Sequence, residues 1–90
     1  MLETSVRVVN RLGLHARAAA KLVSLARPFT SSITVSEPTG RKAANAVSIL
    51  DLLSLAAVFG DELKVTADGI DESEALSAMA ELFRSGFDEK

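Results

Sequence analysis

The sequence predicts an α+β fold, in which a four-stranded antiparallel sheet is covered by three helices on one face. Three observations favour this two-layer, open-faced sandwich. Strand-like alternation and helical periodicity follow one another in the order β-α-β-β-α-β-α. Each predicted strand has one apolar face, which is typical of an antiparallel sheet covered on a single side. The length of 90 residues suits one domain, over 1–90, with one modest core.

The first half of the chain is predicted to form a strand over 4–9, a helix over 16–27 and a hairpin of strands over 32–36 and 41–44. Val6 and Val8 lie on the same face of the first strand. Pro28 ends the helix because proline disrupts helical hydrogen bonding. The turn of the hairpin is Glu37-Pro38-Thr39-Gly40. The buried side of the helix is expected to consist of Ala19, Leu22, Val23 and Ala26.

The second half is predicted to form a helix over 47–56, a strand over 63–67 and a final helix over 71–85. Asp71-Glu72-Ser73-Glu74 has the form of a capping box, so we expect the Asp71 side chain to cap the final helix. Gly86 is a natural stop for that helix. Its buried residues are expected to be Leu76, Met79, Ala80 and Phe83.

Composition excludes several classes of protein. A hydrophobic fraction of 48% is too high for a disordered chain. The absence of cysteine removes disulfides, thiolate metal sites and thiol redox chemistry. Net charge of −2 gives no footprint for nucleic acid. The apolar stretch over 49–59 is too short to span a bilayer and contains Asp51, and the first ten residues do not resemble a signal peptide. We expect a cytoplasmic protein without metal, cofactor or membrane insertion.

The only histidine, His15, directly precedes an alanine-rich helix, and we expect it at or beside the N-cap. The first-turn N–H groups of residues 16–18 are unpaired there and lie at the positive end of the helix dipole. An imidazole in this place can attack an electrophilic phosphorus, and Ala16, Arg17 and Ala18 then offer backbone donors to the phosphoryl oxygens. Arg17 adds a cation.

Two further readings of His15 bear on this hypothesis. The first is that the side chain is an ordinary surface or core histidine. The second, a Ser/His/Asp hydrolase triad, is disfavoured because no acidic residue follows His15 before Glu37. For the same reason we expect no general acid beside the ring, so that a phosphoramidate bond could persist.

The predicted middle helix carries more apolar surface than one buried stripe needs. Some of Ile49, Leu50 and Leu53 should therefore be exposed, and an exposed apolar patch usually marks a contact site. The alternative is a helix wedged deeply into a small core. Ser48 lies where this helix begins and is by default an N-cap. A phosphate there would place about two negative charges beside the patch and block docking without unfolding the domain.

Charge is distributed unevenly along the chain. The first third is basic, with Glu3 as its only acid, while acids dominate beyond Asp61. The half that contains His15 is therefore suited to an acidic partner surface. The basic residues of the first third are Arg7, Arg11, Arg17, Lys21 and Arg27.

Two motifs resemble those of a known family. Gly13-Leu14-His15-Ala16-Arg17, followed by Ala19-Ala20, is similar to the active-site motif G-L-H-x-R-P-A-A of the HPr-type phosphocarrier proteins, which belong to the bacterial phosphoenolpyruvate-dependent phosphotransferase system. The segment over 42–50, with Leu52-Leu53-Ser54-Leu55, resembles the second motif of that family. With the hairpin and the closing helix, the resemblance covers essentially the whole chain.

The resemblance implies that His15 accepts phosphate on Nδ1 from enzyme I and passes it to enzyme II A components, with help from Arg17. It implies a carrier rather than an enzyme, and we expect a monomer because a carrier must expose one face to successive partners. In lineages that have an HPr kinase/phosphorylase, the resemblance implies phosphorylation of Ser48, and transcriptional regulators are further candidate partners. The implied docking residues are Ala20, Ile49, Leu50 and Leu53.

The chain departs from the family pattern at two positions. Ala18 stands where proline is usual, which should reduce rigidity slightly. Val47 replaces a common basic residue before the serine, which puts kinase recognition of Ser48 in doubt. The ending over 84–89 is similar to the nitrogen-branch paralogue, whereas the Ser48 motif favours the sugar-transport carrier, so both branches stay open.

Two other functions compete with the phosphocarrier. One is a regulatory binding module, of nitrogen-branch or co-repressor type, that acts through the apolar patch beside Ser48 while His15 is idle. The other is a ferredoxin-like domain that binds small molecules or nucleic acid. The acidic isoelectric point and an expected lack of exposed aromatic residues disfavour the latter.

Overall fold

The fold is described from a computed structural model that covers residues 1–89. It confirms the predicted α+β class and the order of elements. These are β1 (Leu2–Arg7), α1 (Ala16–Ala26), β2 (Ser32–Ser36), β3 (Ala43–Asn45), α2 (Ile49–Ser54), β4 (Glu62–Asp68) and α3 (Glu72–Arg84). The strands form one sheet in the order β1-β4-β2-β3, and every neighbouring pair is antiparallel.

The core lies between one face of the sheet and the helices. Val35 and Val65 face each other across β2 and β4 on the buried face and are fully buried. Leu22, Leu52 and Met79, one from each helix, belong to the same buried cluster. Polar side chains such as Lys64 alternate with the buried residues of the strands, so the other sheet face is open.

Several predicted boundaries were wrong. The pairing of β1 runs from Leu2 opposite Ala67 to Arg7 opposite Glu62, so β1 begins and ends two residues earlier than predicted. Strand β3 pairs only over its three residues and lies later than the predicted 41–44. Helix α2 has six residues because Ala56 takes a left-handed backbone (φ 52), which ends the helix.

The predicted burial in the helices is largely confirmed. All four residues expected on the inner side of α1 are buried, as are Met79 and Phe83 in α3. Leu76 and Ala80 are only partly buried and pack against the edge of the core. Among residues 1–89, no helix is both long and apolar enough to cross a membrane.

The predicted capping box at α3 is wrong. Asp71 is the N-cap residue, but its side chain makes no hydrogen bond to the start of the helix. It instead accepts from the N–H groups of Thr30 and Ser31, at 2.9 Å each, and from the Ser31 hydroxyl. Glu72, the next residue, accepts from the N–H of Gly69 at 3.0 Å. Asp71 therefore ties the start of α3 to the loop that follows α1.

These hydrogen bonds to Asp71 make the stability of the fold sensitive to acid. The Ser31 hydroxyl and the Thr30 N–H lower the pKa of Asp71 from 3.8 to about 2. Because the pKa is lower in the folded state, the stabilisation is complete above pH 3.8 and is lost as the pH falls to about 2. We expect Asp71→Asn to lower the urea midpoint near neutral pH and to remove much of that acid sensitivity. Asp88→Asn, an exposed control, should leave both unchanged.

Candidate functional site

His15 is the N-cap of α1, as predicted. Its backbone is extended (φ −80, ψ −179), and its side chain makes no capping hydrogen bond. The N–H of Ala19 donates to the His15 carbonyl at 2.8 Å, and this is the first hydrogen bond of the helical pattern of α1. Within residues 1–89, the N–H groups of residues 16–18 have no backbone acceptor. The ring is therefore next to unpaired donors and is available for other contacts.

The approach to His15 is fixed by a tight turn. The N–H of Gly13 donates to the Asn10 carbonyl at 3.1 Å, and Gly13 has a left-handed backbone (φ 70). The N–H of Leu14 donates to the Ala57 carbonyl at 3.1 Å, and the Leu14 side chain is buried. The loop after α2 thus sets the position from which the chain enters α1.

A carboxylate lies beside the ring, contrary to the expectation from the sequence. His15 Nε2 is 2.8 Å from Glu89 Oε1 and 3.0 Å from Oε2. The amide of Asn10, which is fully buried, donates to Glu89 Oε1 and to the Gly13 carbonyl, at 2.8 Å each. Hydrogen bonds from Asn10 and then from His15 hold the pKa of Glu89 below its ordinary value.

Glu89 reaches this place through a turn that we call the C-terminal turn, residues 86–89. Gly86, Phe87 and Asp88 all have left-handed backbones, with φ of 66, 56 and 60, which reverse the chain after α3. The Phe87 ring is fully buried and packs edge to face on Phe83, with centroids 5.0 Å apart. Lys21 Nζ donates to the Phe87 carbonyl at 2.6 Å. The turn is thus held by both packing and a hydrogen bond to α1.

The Glu89 contact defines which ring nitrogen is available. An ionised carboxylate only accepts hydrogen bonds, so Nε2 carries the proton and donates. In the neutral ring, Nδ1 then holds the lone pair. Among residues 1–89, Nδ1 has no hydrogen-bond partner. In particular, no serine hydroxyl contacts the ring there, and so a Ser/His/acid triad is not assembled despite the carboxylate.

An open cleft of about 630 Å³ adjoins the Glu89 carboxylate and is both basic and apolar. Leu12 and Phe59 are 71% and 61% exposed, so the expected lack of exposed aromatic residues was wrong for Phe59. The sequence could have indicated this cleft, because Leu12 and Phe59 are large apolar residues in predicted loops. The cleft is lined by Val9, Arg11, Leu12, Arg17, Phe59 and Glu89.

The predicted apolar excess of α2 is exposed in the structure. Leu50 is 80% and Ile49 40% exposed, whereas Leu53 is only partly buried against the core. Ser48 is the N-cap, and its hydroxyl accepts from the Asp51 N–H at 3.2 Å. Ala20 on α1 is also partly buried. The exposure expected for this patch is confirmed, while its use for docking stays a prediction.

No metal site is evident in the part of the chain that the structure describes: residues 1–89 contain no group of three or more His, Cys, Asp or Glu side chains arranged to hold an ion.

Comparison with known proteins decides the family. The profile described as "PTS HPr component phosphorylation site" matches residues 2–85. The chain belongs to the HPr phosphocarrier family of the phosphotransferase system. It is 46% identical over 89 residues to the phosphocarrier protein HPr of Xylella fastidiosa strain Temecula1, covering 99% of this chain and 98% of that protein.

Relatives with a second name, NPr, occur as well. The phosphocarrier protein NPr of Proteus mirabilis is 43% identical over 84 residues, covering 93% of this chain and 92% of the relative. A crystal structure of HPr-C-His from Thermoanaerobacter tengcongensis superposes with a TM-score of 0.92 at 40% identity, covering 100% of this chain and 99% of that one. This chain therefore shares the fold of that protein over essentially its full length.

The turn before His15 should not tolerate a side chain. A Cβ on Gly13 would lie 2.6 Å from the Ala57 carbonyl oxygen, whereas one on Gly40, which is also left-handed (φ 79), would meet nothing within 4 Å. We expect Gly40→Ala to cost about 1 kcal/mol of unfolding free energy from backbone strain alone. Gly13→Ala should cost at least about 2 kcal/mol because the backbone of residues 57–58 must also move. Urea unfolding would measure both, and equal losses would contradict the clash.

Proposed function

We propose that this protein is a reversible phosphoryl carrier that accepts phosphate on Nδ1 of His15 from phosphorylated enzyme I and passes it to an enzyme II A component. The observation that carries the proposal is the placement of the ring at the N-cap of α1 with Nε2 already bound to Glu89. This leaves one ring nitrogen for chemistry, next to unpaired backbone donors.

The transfer is a displacement at phosphorus. The Nδ1 lone pair forms the new bond while the bond from phosphorus to the donor breaks, and that electron pair leaves with the donor. The N–H groups of the exposed residues Ala16 and Arg17 would supply donors to the transferred oxygens, and the guanidinium of Arg17 would supply positive charge. Ala18, the third predicted donor, is fully buried and would need the helix start to open before it could take part. We propose that the protein does not catalyse a complete reaction on its own, since both the phosphoryl donor and the acceptor are partner proteins.

The partner surface combines charge with apolar contact. The basic first third of the chain suits acidic partners, and the exposed Ile49 and Leu50 offer an apolar contact area. We propose that enzyme I and enzyme II A components use this surface in turn. The protein would act as a monomer in the cytoplasm, without nucleic acid. Relatives named HPr and NPr at similar identity support either branch equally.

Phosphorylation by a partner tests the carrier function. With enzyme I and phosphoenolpyruvate, we expect the wild type to gain one acid-labile, base-stable phosphate and His15→Ala to gain none. The alanine variant should remain folded because His15 is partly exposed and makes no capping bond. Intact-mass measurement before and after mild acid gives the result. Equal labelling of wild type and His15→Ala would refute the proposal.

We further propose that Ser48 is a regulatory site, phosphorylated by an HPr kinase/phosphorylase where the host has one. A phosphate on its hydroxyl would add charge next to the exposed Ile49 and Leu50 and oppose apolar docking. The carboxylate of Asp51 is in the same first turn of α2 and would repel that phosphate. Regulation would therefore act on association rather than on the ring of His15.

A matched pair of variants isolates this charge. Ser48→Asp and Ser48→Asn both provide good N-caps, so they differ mainly in charge. We expect Ser48→Asp to weaken binding to enzyme I by roughly tenfold, equivalent to 1.4 kcal/mol, while Ser48→Asn stays near wild type. Isothermal titration calorimetry would measure both. Equal affinities would mean that charge at this position does not control docking.

The exposed patch also supports a second candidate function, a regulatory module that binds a transcription factor or kinase while His15 is idle. Leu50 is 80% exposed, so the patch alone could serve this role. In that case the affinity for the regulator would change in Ser48→Asp and be unaffected in His15→Ala, and the wild type would gain no acid-labile phosphate.

A further inference from the structure

We infer that Glu89 is a positioning residue for His15, whose carboxylate keeps the proton on Nε2, keeps the lone pair on Nδ1 and balances the charge that the ring gains on phosphorylation. The inference rests on the proposed function and extends it to a residue that lies outside both family motifs. Glu89 lies outside the family profile as well, since that match ends at residue 85.

The contact between Glu89 and His15 is held in place by several neighbouring residues. Both carboxylate oxygens are within 3.0 Å of Nε2, and Asn10 fixes one of them from the buried side. The C-terminal turn that presents Glu89 is held by the buried Phe87 ring and by the Lys21 hydrogen bond. The Glu89 side chain is only 18% exposed, which is unlike a mobile surface ion pair. The ring is thus held in one orientation on the Nε2 side.

This orientation determines the tautomer. With Nε2–H donated to a carboxylate, the alternative tautomer would place two acceptors, the Nε2 lone pair and the carboxylate, against each other. The carboxylate faces the nitrogen that does not react, so it does not obstruct phosphorus approaching Nδ1. A buried acid that orients histidine in hydrolases works by the same physical principle.

The charge on the ring changes during transfer. When Nδ1 of the neutral ring bonds to phosphorus while Nε2 keeps its proton, the ring becomes cationic. The Glu89 carboxylate, 2.8 Å from Nε2, stabilises that cation. In the onward transfer, the nitrogen–phosphorus bond breaks, its electron pair returns to Nδ1 and the ring becomes neutral again. No proton needs to leave or enter in either direction.

The experiment exploits the single histidine of the chain, because ¹⁵N-histidine labelling reports on one ring only. Glu89→Ala removes the carboxylate, Glu89→Gln keeps an acceptor but no charge, and Asp88→Asn is the neighbouring control. At a pH well above the ordinary pKa of a histidine side chain, we expect the wild type and Asp88→Asn to show mainly the Nε2–H tautomer. Glu89→Ala should show a mixture, and Glu89→Gln should recover part of the wild-type signal.

The rate of phosphorylation is measured with phosphoramidate, a small donor that requires no docking. We expect Glu89→Ala to react roughly tenfold more slowly, the lower end of the loss seen when metal-binding histidines lose the carboxylate that orients them, with Glu89→Gln intermediate and Asp88→Asn unchanged. Phosphorus NMR should identify Nδ1-phosphohistidine in the wild type. Thermal unfolding confirms that each variant is folded, and Glu89→Gln keeps the side-chain size.

Two results would overturn the inference: wild-type tautomer populations in Glu89→Ala, or wild-type reactivity in that variant. Unchanged tautomer populations overturn it even if Glu89→Ala reacts slowly, because the carboxylate would then act on something other than the ring. The proposed function fails separately, if enzyme I and phosphoenolpyruvate do not label the wild type. The tautomer measurement is independent of that outcome.

Discussion

The hydrogen bond between His15 and Glu89 joins the start of α1 to the end of the described chain, and the geometry of the site depends on this closure. Glu89 can reach the ring only because three consecutive left-handed residues reverse the chain after α3. That reversal is stabilised by burial of Phe87 against Phe83. The apolar core and the polar site are therefore coupled, since packing of one aromatic ring sets the position of a carboxylate two residues later.

Asn10 restrains the same site from the buried side. Its side chain is fully buried and donates to both Glu89 and the Gly13 carbonyl, and so it links the turn before His15 to the residue that holds the ring. A buried amide with specific partners restrains its neighbours more strongly than an exposed one, because the loss of either bond leaves a polar group without water. The loop, the ring and the carboxylate thus share one network.

The sequence predicted the parts of this fold that local patterns control. Alternation and periodicity identified all seven elements, and the alanine-rich start of α1 located His15 at the N-cap. Long-range contacts were outside its reach. Nothing near His15 indicates a carboxylate that is 74 residues away, and the Asp71 motif was misassigned because the loop at residues 30–31 competes for its oxygens. Ends of β1 and α2 were set by pairing and by the left-handed Ala56.

Under the proposed function, the residues that carry the chemistry are separate from the apolar patch proposed for docking. The ring is controlled by the polar network around Glu89, whereas Leu50 and Ile49 are exposed on a different helix and contribute no atom to that network. A charge at Ser48 would act on the apolar patch through desolvation, which is short-ranged, and through a field that salt screens within about 10 Å. Ser48 and His15 share no hydrogen-bond partner within residues 1–89, so under the proposed function a charge at Ser48 would weaken binding to a partner without breaking a hydrogen bond of the ring. Under the proposed function, the family motifs contain the proposed nucleophile and docking residues because these lie at fixed local spacing, whereas Glu89 reaches Nε2 from 74 residues away and has no such local pattern.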